Sequence, residues 1–189
     1  MLVLFRFPLW RPPWTVVEGN DIVVRSGKTI LHLLVEIDEV LMEAIKCGLT
    51  CEMILVRFDP GERLLEGLRE LIRAECIRLG VVVSGIGTLS DCRLHQAIAG
   101  YPPNLMTRHQ EYLELRGSYE IASIQGIIAD GEPHLHMTVC EGRETVAGHL
   151  EDGCVVMGVA EVAILRGEGV PLRRVIRGAE KIKQLTAAA

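Results

Sequence analysis

The 189-residue chain is short of aromatic side chains and has no excess of basic charge. Only 4% of its residues are Phe, Trp or Tyr, and the formal net charge is -5. A protein that holds nucleic acid mainly by counterion release needs a basic face, so this balance argues against that class. The nearest basic patch lies near the C-terminus, is interrupted by Glu168 and Glu180, and is most simply a solvated chain end. It comprises Arg166, Arg173, Arg174, Arg177, Lys181 and Lys183.

No apolar run is long enough to cross a membrane. Residues 1–18 are apolar, but Arg6, Arg11 and three prolines interrupt them, which a signal peptide or membrane helix would not tolerate. We therefore expect neither export nor a membrane span. Four of the eight aromatic residues fall in this leader, so we expect it to pack on its own domain or on a neighbouring subunit.

The six cysteines are scattered among apolar neighbours, as reduced and buried thiols are. A cytoplasmic location fits this usage best. Cys47 and Cys51 are separated by three residues, and no second pair repeats that spacing. A structural thiol pair, or no pairing at all, is therefore expected there rather than a zinc knuckle.

One amphipathic helix is predicted after a strand at residues 52–58. Asp59 is a suitable N-cap, Pro60 fits the first helical position, and Glu62 completes a capping box. Apolar residues then recur at three-and-four spacing until Gly80, which predicts a helix packed on a sheet. The stripe comprises Leu64, Leu65, Leu68, Leu71, Ile72, Cys76 and Leu79.

Strand-like segments dominate the rest of the chain. They are separated by Gly, Pro and Asp turns with no intervening helix, so the predicted fold class is α+β, with a mainly antiparallel β-sheet and one principal helix. The segments are 81–84, 91–99, 110–115, 119–129, 134–140, 145–150 and 154–165, with an edge strand at 170–176 and a frayed end. Residues 85–88 predict a tight turn or bulge. Towards the N-terminus, a hairpin turning at 26–28 and a helix over 36–46 are predicted.

Three histidines within sixteen residues point to metal chemistry. His134 and His136 are two apart, so on a strand both imidazoles lie on one face. If residues 141–144 form a hairpin loop, Cys140 pairs with Thr145 and His136 pairs with His149. Three neutral imidazoles on one face form an open zinc-type site, so we predict a divalent metal, most simply zinc, at all three histidines. The alternative is a set of unrelated polar side chains on a half-exposed sheet.

Several segments together resemble the plants-and-prokaryotes conserved (PPC) domain, over residues 53–168. They are Phe58-Asp59-Pro60-Gly61-Glu62, Ser84-Gly85-Ile86-Gly87, Gly117-Ser118-Tyr119-Glu120-Ile121, Pro133-His134-Leu135-His136, Gly148-His149-Leu150 and Ala160-Glu161-Val162. The resemblance implies a compact α+β domain that forms a homotrimer. It also implies a histidine-held metal of the prokaryotic type.

The resemblance also suggests partners. Plant relatives carry an AT-hook, work in DNA-associated complexes, and use a Gly-Arg-Phe-Glu-Ile segment to contact other factors. The corresponding residues here are Gly117, Tyr119, Glu120 and Ile121, which would form a partner or subunit surface, but the arginine is missing. No Arg-Gly-Arg-Pro hook occurs in this chain. DNA, or a DNA-binding protein, is therefore a partner to be tested.

Two functions follow from these residues. The first is a trimeric regulatory or DNA-associated binding module with a metal. The second is a zinc enzyme acting on a small metabolite, by analogy with the three-histidine site of acetolactate decarboxylase, with Glu120 as the candidate catalytic carboxylate and Glu161 as the second choice. His95 and His109 could be a fourth ligand or an outer partner, and we leave both out of the ligand set.

The expected organisation has three parts. Residues 1–51 form an N-terminal extension of uncertain role, 52–169 form the PPC-like domain, and 170–189 form a C-terminal strand and tail.

Overall fold

In the computed structural model, residues 32–37, 40–45, 47–100, 106, 108–178 and 181–188 are described. The chain divides into two compact units, Met1–Lys46 and Cys47–Ala189. In the first unit, β1 (His32–Ile37) pairs antiparallel with β2 (Val40–Ile45). The predicted helix over 36–46 is therefore wrong, because β-branched Val35, Ile37 and Val40 favour the extended backbone. The aromatic leader and the turn at 26–28 lie outside the described residues.

The second unit contains one six-stranded sheet, one helix and a separate hairpin. The sheet strands are β3 (Gly48–Phe58), β4 (Leu79–Ile98), β5 (His109–Ala129), β6 (Glu132–Glu141), β7 (Glu144–Leu150) and β8 (Val155–Glu168). Their order is β3-β8-β4-β5-β6-β7, every pairing is antiparallel, and β4 also pairs with β7. The predicted α+β class with a mainly antiparallel sheet is confirmed. No helix in the described part of the chain is long and apolar enough to span a membrane.

The helix α1 (Leu64–Ala74) is shorter than predicted. The Glu62 carboxylate accepts a hydrogen bond from the Asp59 N–H at 2.7 Å, as in a capping box, but these residues form a turn and the N-cap is Arg63. The buried helix residues Leu64, Leu68 and Ile72 join the apolar cluster of the sheet. The stripe was therefore predicted correctly from Leu64 to Ile72, whereas the helix start was placed too early and its end too late, since Cys76 is exposed beyond the helix and Leu79 belongs to β4.

The two longest strands were predicted in pieces. The predicted segments 81–84 and 91–99 fall in one strand, β4, which ends at Ile98, and the register shifts between them. Gly87 has φ +146°, and a Cβ at this position would lie 2.3 Å from the Val159 carbonyl oxygen. Glycine therefore lets β4 and β8 approach closely where the register shifts.

The sheet has a buried face and an open face. Alternate residues face the helix and form the core, among them Ile124, Ile128, Leu135, Met137 and Ile164. Their neighbours in sequence lie on the other face, where several large apolar side chains are exposed. These are Met53, Leu55, Val81, Val83, Ile86, Ile127, Met157 and Val159, which we call the open apolar face.

The C-terminal residues form a hairpin. β9 (Leu172–Arg177) pairs antiparallel with β10 (Ile182–Ala187). The predicted strand at 170–176 is therefore present, although its partner is β10 and not the main sheet. The predicted frayed end is wrong, since Thr186 is buried and the Ala188 N–H donates to the Pro171 carbonyl.

Candidate metal centre

The predicted hairpin register is present. His136 on β6 pairs directly with His149 on β7, and His134 stands two residues earlier on β6. The turn is tighter than expected, because Glu141 pairs with Glu144 and Gly142, at φ +60°, lies in the connection between them. Shortening the loop by one pair leaves the register unchanged, so the histidines still share one face.

A third strand adds a histidine that the sequence did not place in the ligand set. His95 on β4 pairs with His149, and the centroids of their rings are 4.6 Å apart. The His134 and His136 centroids lie 4.9 and 5.6 Å from that of His149, and 5.5 Å from each other. Four imidazoles from three strands therefore form one cluster on the sheet.

Glu151 joins this cluster from the end of β7. One carboxylate oxygen, Oε1, lies 2.6 Å from Nδ1 of His95 and 3.0 Å from Nδ1 of His149. Glu151 was not among the residues predicted from the sequence. The available signal was its position two residues after His149, which continues the same strand face.

His95, His149 and Glu151 place one potential ligand atom each within 4.8 Å of one another, which marks a possible metal site. Their spacing is nevertheless that of hydrogen bonds. A tetrahedral zinc ion with ligands at about 2.0–2.1 Å separates its donor atoms by roughly 3.3 Å, more than either Nδ1–Oε1 distance. This pattern matches a carboxylate that orients imidazoles through Nδ1 and leaves Nε2 for a cation.

Two of the imidazoles, those of His134 and His149, are in the protonation state that a metal requires. Partial burial, the neighbouring His149 and the Arg174 guanidinium lower the pKa of His134 to about 4. Burial and the nearby His95 also lower the pKa of His149, although Glu151 opposes this. Both rings are therefore neutral near pH 7, and only a neutral imidazole coordinates a cation.

The cluster is open on one side. His95, Glu151 and His149 are partly buried, with 16%, 23% and 24% of their side chains exposed, whereas His134 and His136 are exposed. Imidazole nitrogen donors suit zinc and similar divalent ions. The residues present therefore fit a metal with an accessible position.

The other candidate site residues lie elsewhere. Glu120 pairs with Cys140, four residues along β6 from His136, a separation of about 13 Å along the strand. Glu161 pairs with Arg57 on β3, in a different part of the sheet. His109 pairs with Ile98 at the far end of β4. The carboxylate that the fold brings to the histidines is Glu151, rather than Glu120 or Glu161.

The segment resembling the plant contact motif lies on β5. Glu120 and Gly117 are exposed, Tyr119 packs partly against the core, and Ile121 is a buried core residue with 3% exposure. Ile121 is therefore a packing residue within this chain. The exposed part of the segment is limited to the residues on either side of the Tyr119 ring.

Comparison with known sequences identifies the family. The sequence profile of the Plants and Prokaryotes Conserved domain matches residues 46–167, more than half of the chain. The chain belongs to this family. The predicted family resemblance is thus confirmed, and the matched range ends before the β9–β10 hairpin.

Solved structures share the fold of this Plants and Prokaryotes Conserved domain. A metal-containing protein of Archaeoglobus fulgidus has a TM-score of 0.65 at 21% identity, covering 77% of this chain and 99% of that one. A plant- and prokaryote-conserved protein of Pyrococcus horikoshii has a TM-score of 0.61 at 24% identity, with 76% and 96% coverage. A Bacteroides thetaiotaomicron protein, provisionally described as DNA-binding, has a TM-score of 0.62 at 18% identity, with 75% and 96% coverage.

Two curated relatives carry a similar segment within much longer chains. They are the bifunctional protein GlmU of two Synechococcus strains, 34% and 29% identical over 110 residues. The match covers 58% of this chain and only 16% of each relative. The chain therefore spans only a small part of the length of these relatives.

Proposed function

We propose that this protein is a metal-binding module that holds a divalent cation, zinc in the first instance, at His134, His136 and His149. The observation that carries this proposal is the convergence of the three imidazoles from paired strands, with Glu151 on the Nδ1 atom of His149. The metal-containing relative from Archaeoglobus fulgidus supports it by fold. In this assignment Glu151 orients His149 and His95, and His95 lies beside the ligand set.

Metal analysis of tag-free protein tests the assignment. We expect about one zinc per chain after dialysis, and loss of nearly all bound zinc in a His136→Ala variant, because a three-ligand site does not survive removal of one imidazole. His109→Ala is the matched control, since this histidine is exposed on β5 and outside the cluster. If His95→Ala abolishes binding while His136→Ala does not, the cation belongs to the His95, His149 and Glu151 group instead.

The proposal includes assembly as a homotrimer, as the family resemblance implies. The open apolar face supports it, because Leu55 and Ile86 are 70% and 53% exposed in the single chain. Leu55, Ile86 and Glu161 also line a cavity of about 310 Å³ on this face. Exposed apolar surface of this extent is typical of a protein interface, and a second copy of the chain is the occupant that we propose.

A regulatory or DNA-associated role in the cytoplasm completes the proposal. Related folds provisionally described as DNA-binding support a nucleic-acid partner, and the C-terminal hairpin carries exposed Arg173, Arg177, Lys181 and Lys183. The net charge of -5 opposes tight binding. Fluorescence anisotropy of a labelled duplex at about 150 mM salt tests this role, with affinity expected to fall as salt rises. No binding, or binding unchanged in an Arg173→Gln, Lys183→Gln variant, would exclude the hairpin as a DNA contact.

A second candidate function is a zinc-dependent enzyme acting on a small metabolite. The exposed side of the cluster and the adjacent Glu151 favour it. Zinc held by His134, His136 and His149 would supply a Lewis acid, and Glu151 would be the carboxylate beside it that could take up a proton. Turnover of a metabolite that is lost in both His136→Ala and Glu151→Gln would support this function over the binding module.

A further inference from the structure

Arg174 on the C-terminal hairpin reaches the histidine cluster. Its guanidinium donates to the carbonyl of Ile127 at 2.9 Å and to that of Glu132 at 3.1 Å. Ile127 is the residue that pairs with His134, and Glu132 stands two residues before it on β6. The guanidinium therefore lies beside His134, which agrees with its lowering of the His134 pKa.

The guanidinium is fixed in place while part of its donor capacity stays open. Two backbone carbonyls hold it, and each takes one of its five N–H donors. Among the described residues, no further hydrogen-bond acceptor is found for Arg174, and Glu132 offsets part of its charge. Arg174 is also partly buried, so its remaining charge is less screened by water than that of an exposed arginine.

The charge around the cluster favours a monoanion. Neutral imidazoles leave the charge of a divalent cation uncompensated, and the nearby acids are Glu151 and Glu132. The cation contributes two positive charges and Arg174 one, and Glu151 and Glu132 contribute two negative charges. The site therefore keeps a net charge of about +1 when the cation is bound. A carboxylate has two oxygens, and it can bind the cation while accepting hydrogen bonds from the planar guanidinium. A phosphate dianion has more oxygens and charge, and would need more hydrogen-bond donors than this site provides.

We propose that a small carboxylate is the ligand of this site, bound between the histidine-held cation and the Arg174 guanidinium. This inference rests on the proposed metal function, and it names the ligand class that such a module would sense or transform. Arg174 comes from β9, so the hairpin that follows the family-matched segment contributes to ligand binding.

Cobalt-loaded protein gives a direct test, because the visible spectrum of Co²⁺ responds to a change in its ligands. We would titrate acetate at pH 7 and constant ionic strength, with neutral, equally shaped acetamide as the comparison. We expect a saturable spectral change with acetate and none with acetamide. In Arg174→Gln the acetate affinity should fall about tenfold or more, as expected for loss of a charge-assisted hydrogen bond. In Arg73→Gln, an exposed arginine in the last turn of α1, acetate affinity should stay within about twofold.

Each contrary result has a distinct meaning. Equal responses to acetate and acetamide, or an unchanged acetate affinity in Arg174→Gln, would overturn the carboxylate proposal while leaving the metal site intact. Tighter, Arg174-dependent binding of inorganic phosphate would replace carboxylate as the ligand class. Arg174→Gln must keep its cobalt affinity within about threefold, and a larger loss would make Arg174 a structural residue and overturn its ligand role. Failure of the wild-type protein to take up cobalt would overturn the proposed metal function itself.

Discussion

Glu151 makes more hydrogen bonds within the histidine cluster than any other described residue there. A single oxygen accepts from two imidazoles that belong to different strands. In the assignment proposed above, it selects the tautomer in which Nδ1 carries the proton and Nε2 is free. The chemistry of the cluster therefore depends on a side chain that is not itself a ligand.

Glu151→Gln tests this role. Glutamine keeps the shape but loses the charge, so we expect zinc affinity to fall by about 10- to 100-fold without abolishing binding. Competition with a chromophoric chelator measures the affinity. Asp152→Asn is the matched control, because Asp152 is exposed and pairs with Arg69 rather than with a histidine. Complete loss of zinc in Glu151→Gln would instead make Glu151 a ligand.

The thiols differ more than the sequence suggested. Cys92 and Cys154 are buried, Cys140 is partly buried, and Cys47 and Cys76 are exposed. The prediction of uniformly buried thiols is therefore wrong for the last two. A hydrogen bond with Cys154, together with burial, raises the pKa of Cys92.

This difference predicts selective thiol labelling. In native protein at pH 8, we expect an aromatic disulfide reagent to modify Cys76 readily and to leave Cys92 and Cys154 intact, since both of these thiols are buried and the reagent cannot reach them. Peptide mapping by mass spectrometry identifies the modified residues. All of the cysteines should react in denaturant. Labelling of Cys92 in native protein as fast as that of Cys76 would contradict the burial of Cys92 and Cys154.

At the scale of secondary structure, glycine allows the close approach that positions His134. Gly126 on β5 has φ +155°, and a Cβ there would lie 2.1 Å from the His134 carbonyl oxygen. The His134 carbonyl is part of the β6 backbone and cannot move away by a side-chain rotation. A residue larger than glycine at position 126 would therefore displace β6. The position of β6, and of His134 on it, therefore depends on the size of the residue at position 126.

We expect Gly126→Ala to lower the free energy of unfolding by about 1–3 kcal/mol through this overpacking. Zinc affinity should fall as well, because His134 moves with β6. Urea unfolding and chelator competition measure the two effects. Gly142→Asn, in a turn where no atom lies within 4 Å of the added Cβ and asparagine tolerates positive φ, should leave both nearly unchanged. Wild-type zinc affinity in Gly126→Ala would refute the coupling.

For the whole molecule, the two faces of the sheet have different roles. One face of the sheet is buried beneath α1. The residues of the open apolar face and the clustered histidines both lie on the other face. A metal site and a proposed subunit interface therefore share a surface. Assembly would place the cluster near a neighbouring chain, where water is partly excluded.

Leu55→Glu tests assembly. Placing a charge on this face should dissociate a trimer, because an unpaired charge at an apolar interface is strongly disfavoured. Light scattering coupled to gel filtration would then report the monomer mass in place of the trimer mass. Ala74→Glu, an exposed residue of α1, is the control and should leave the mass unchanged. A wild-type protein that is monomeric at micromolar concentration would refute the homotrimer.

Local patterns in the sequence determined much of the fold. The period of the apolar residues indicated α1, and the alternating segments indicated an antiparallel sheet. The short connection after Cys140 set the register that pairs His136 with His149, since a hairpin turn constrains strands only a few residues apart. For the same reason, the sequence alone was enough to group three of the four clustered histidines.

Only the tertiary structure brought in the residues from distant parts of the chain. His95 lies 54 residues from His149 along the sequence and meets it because β4 pairs with both β5 and β7. Arg174 reaches His134 from a separate hairpin. Such contacts depend on which strands become neighbours, a choice made by packing of the whole core and not by the period of any one segment.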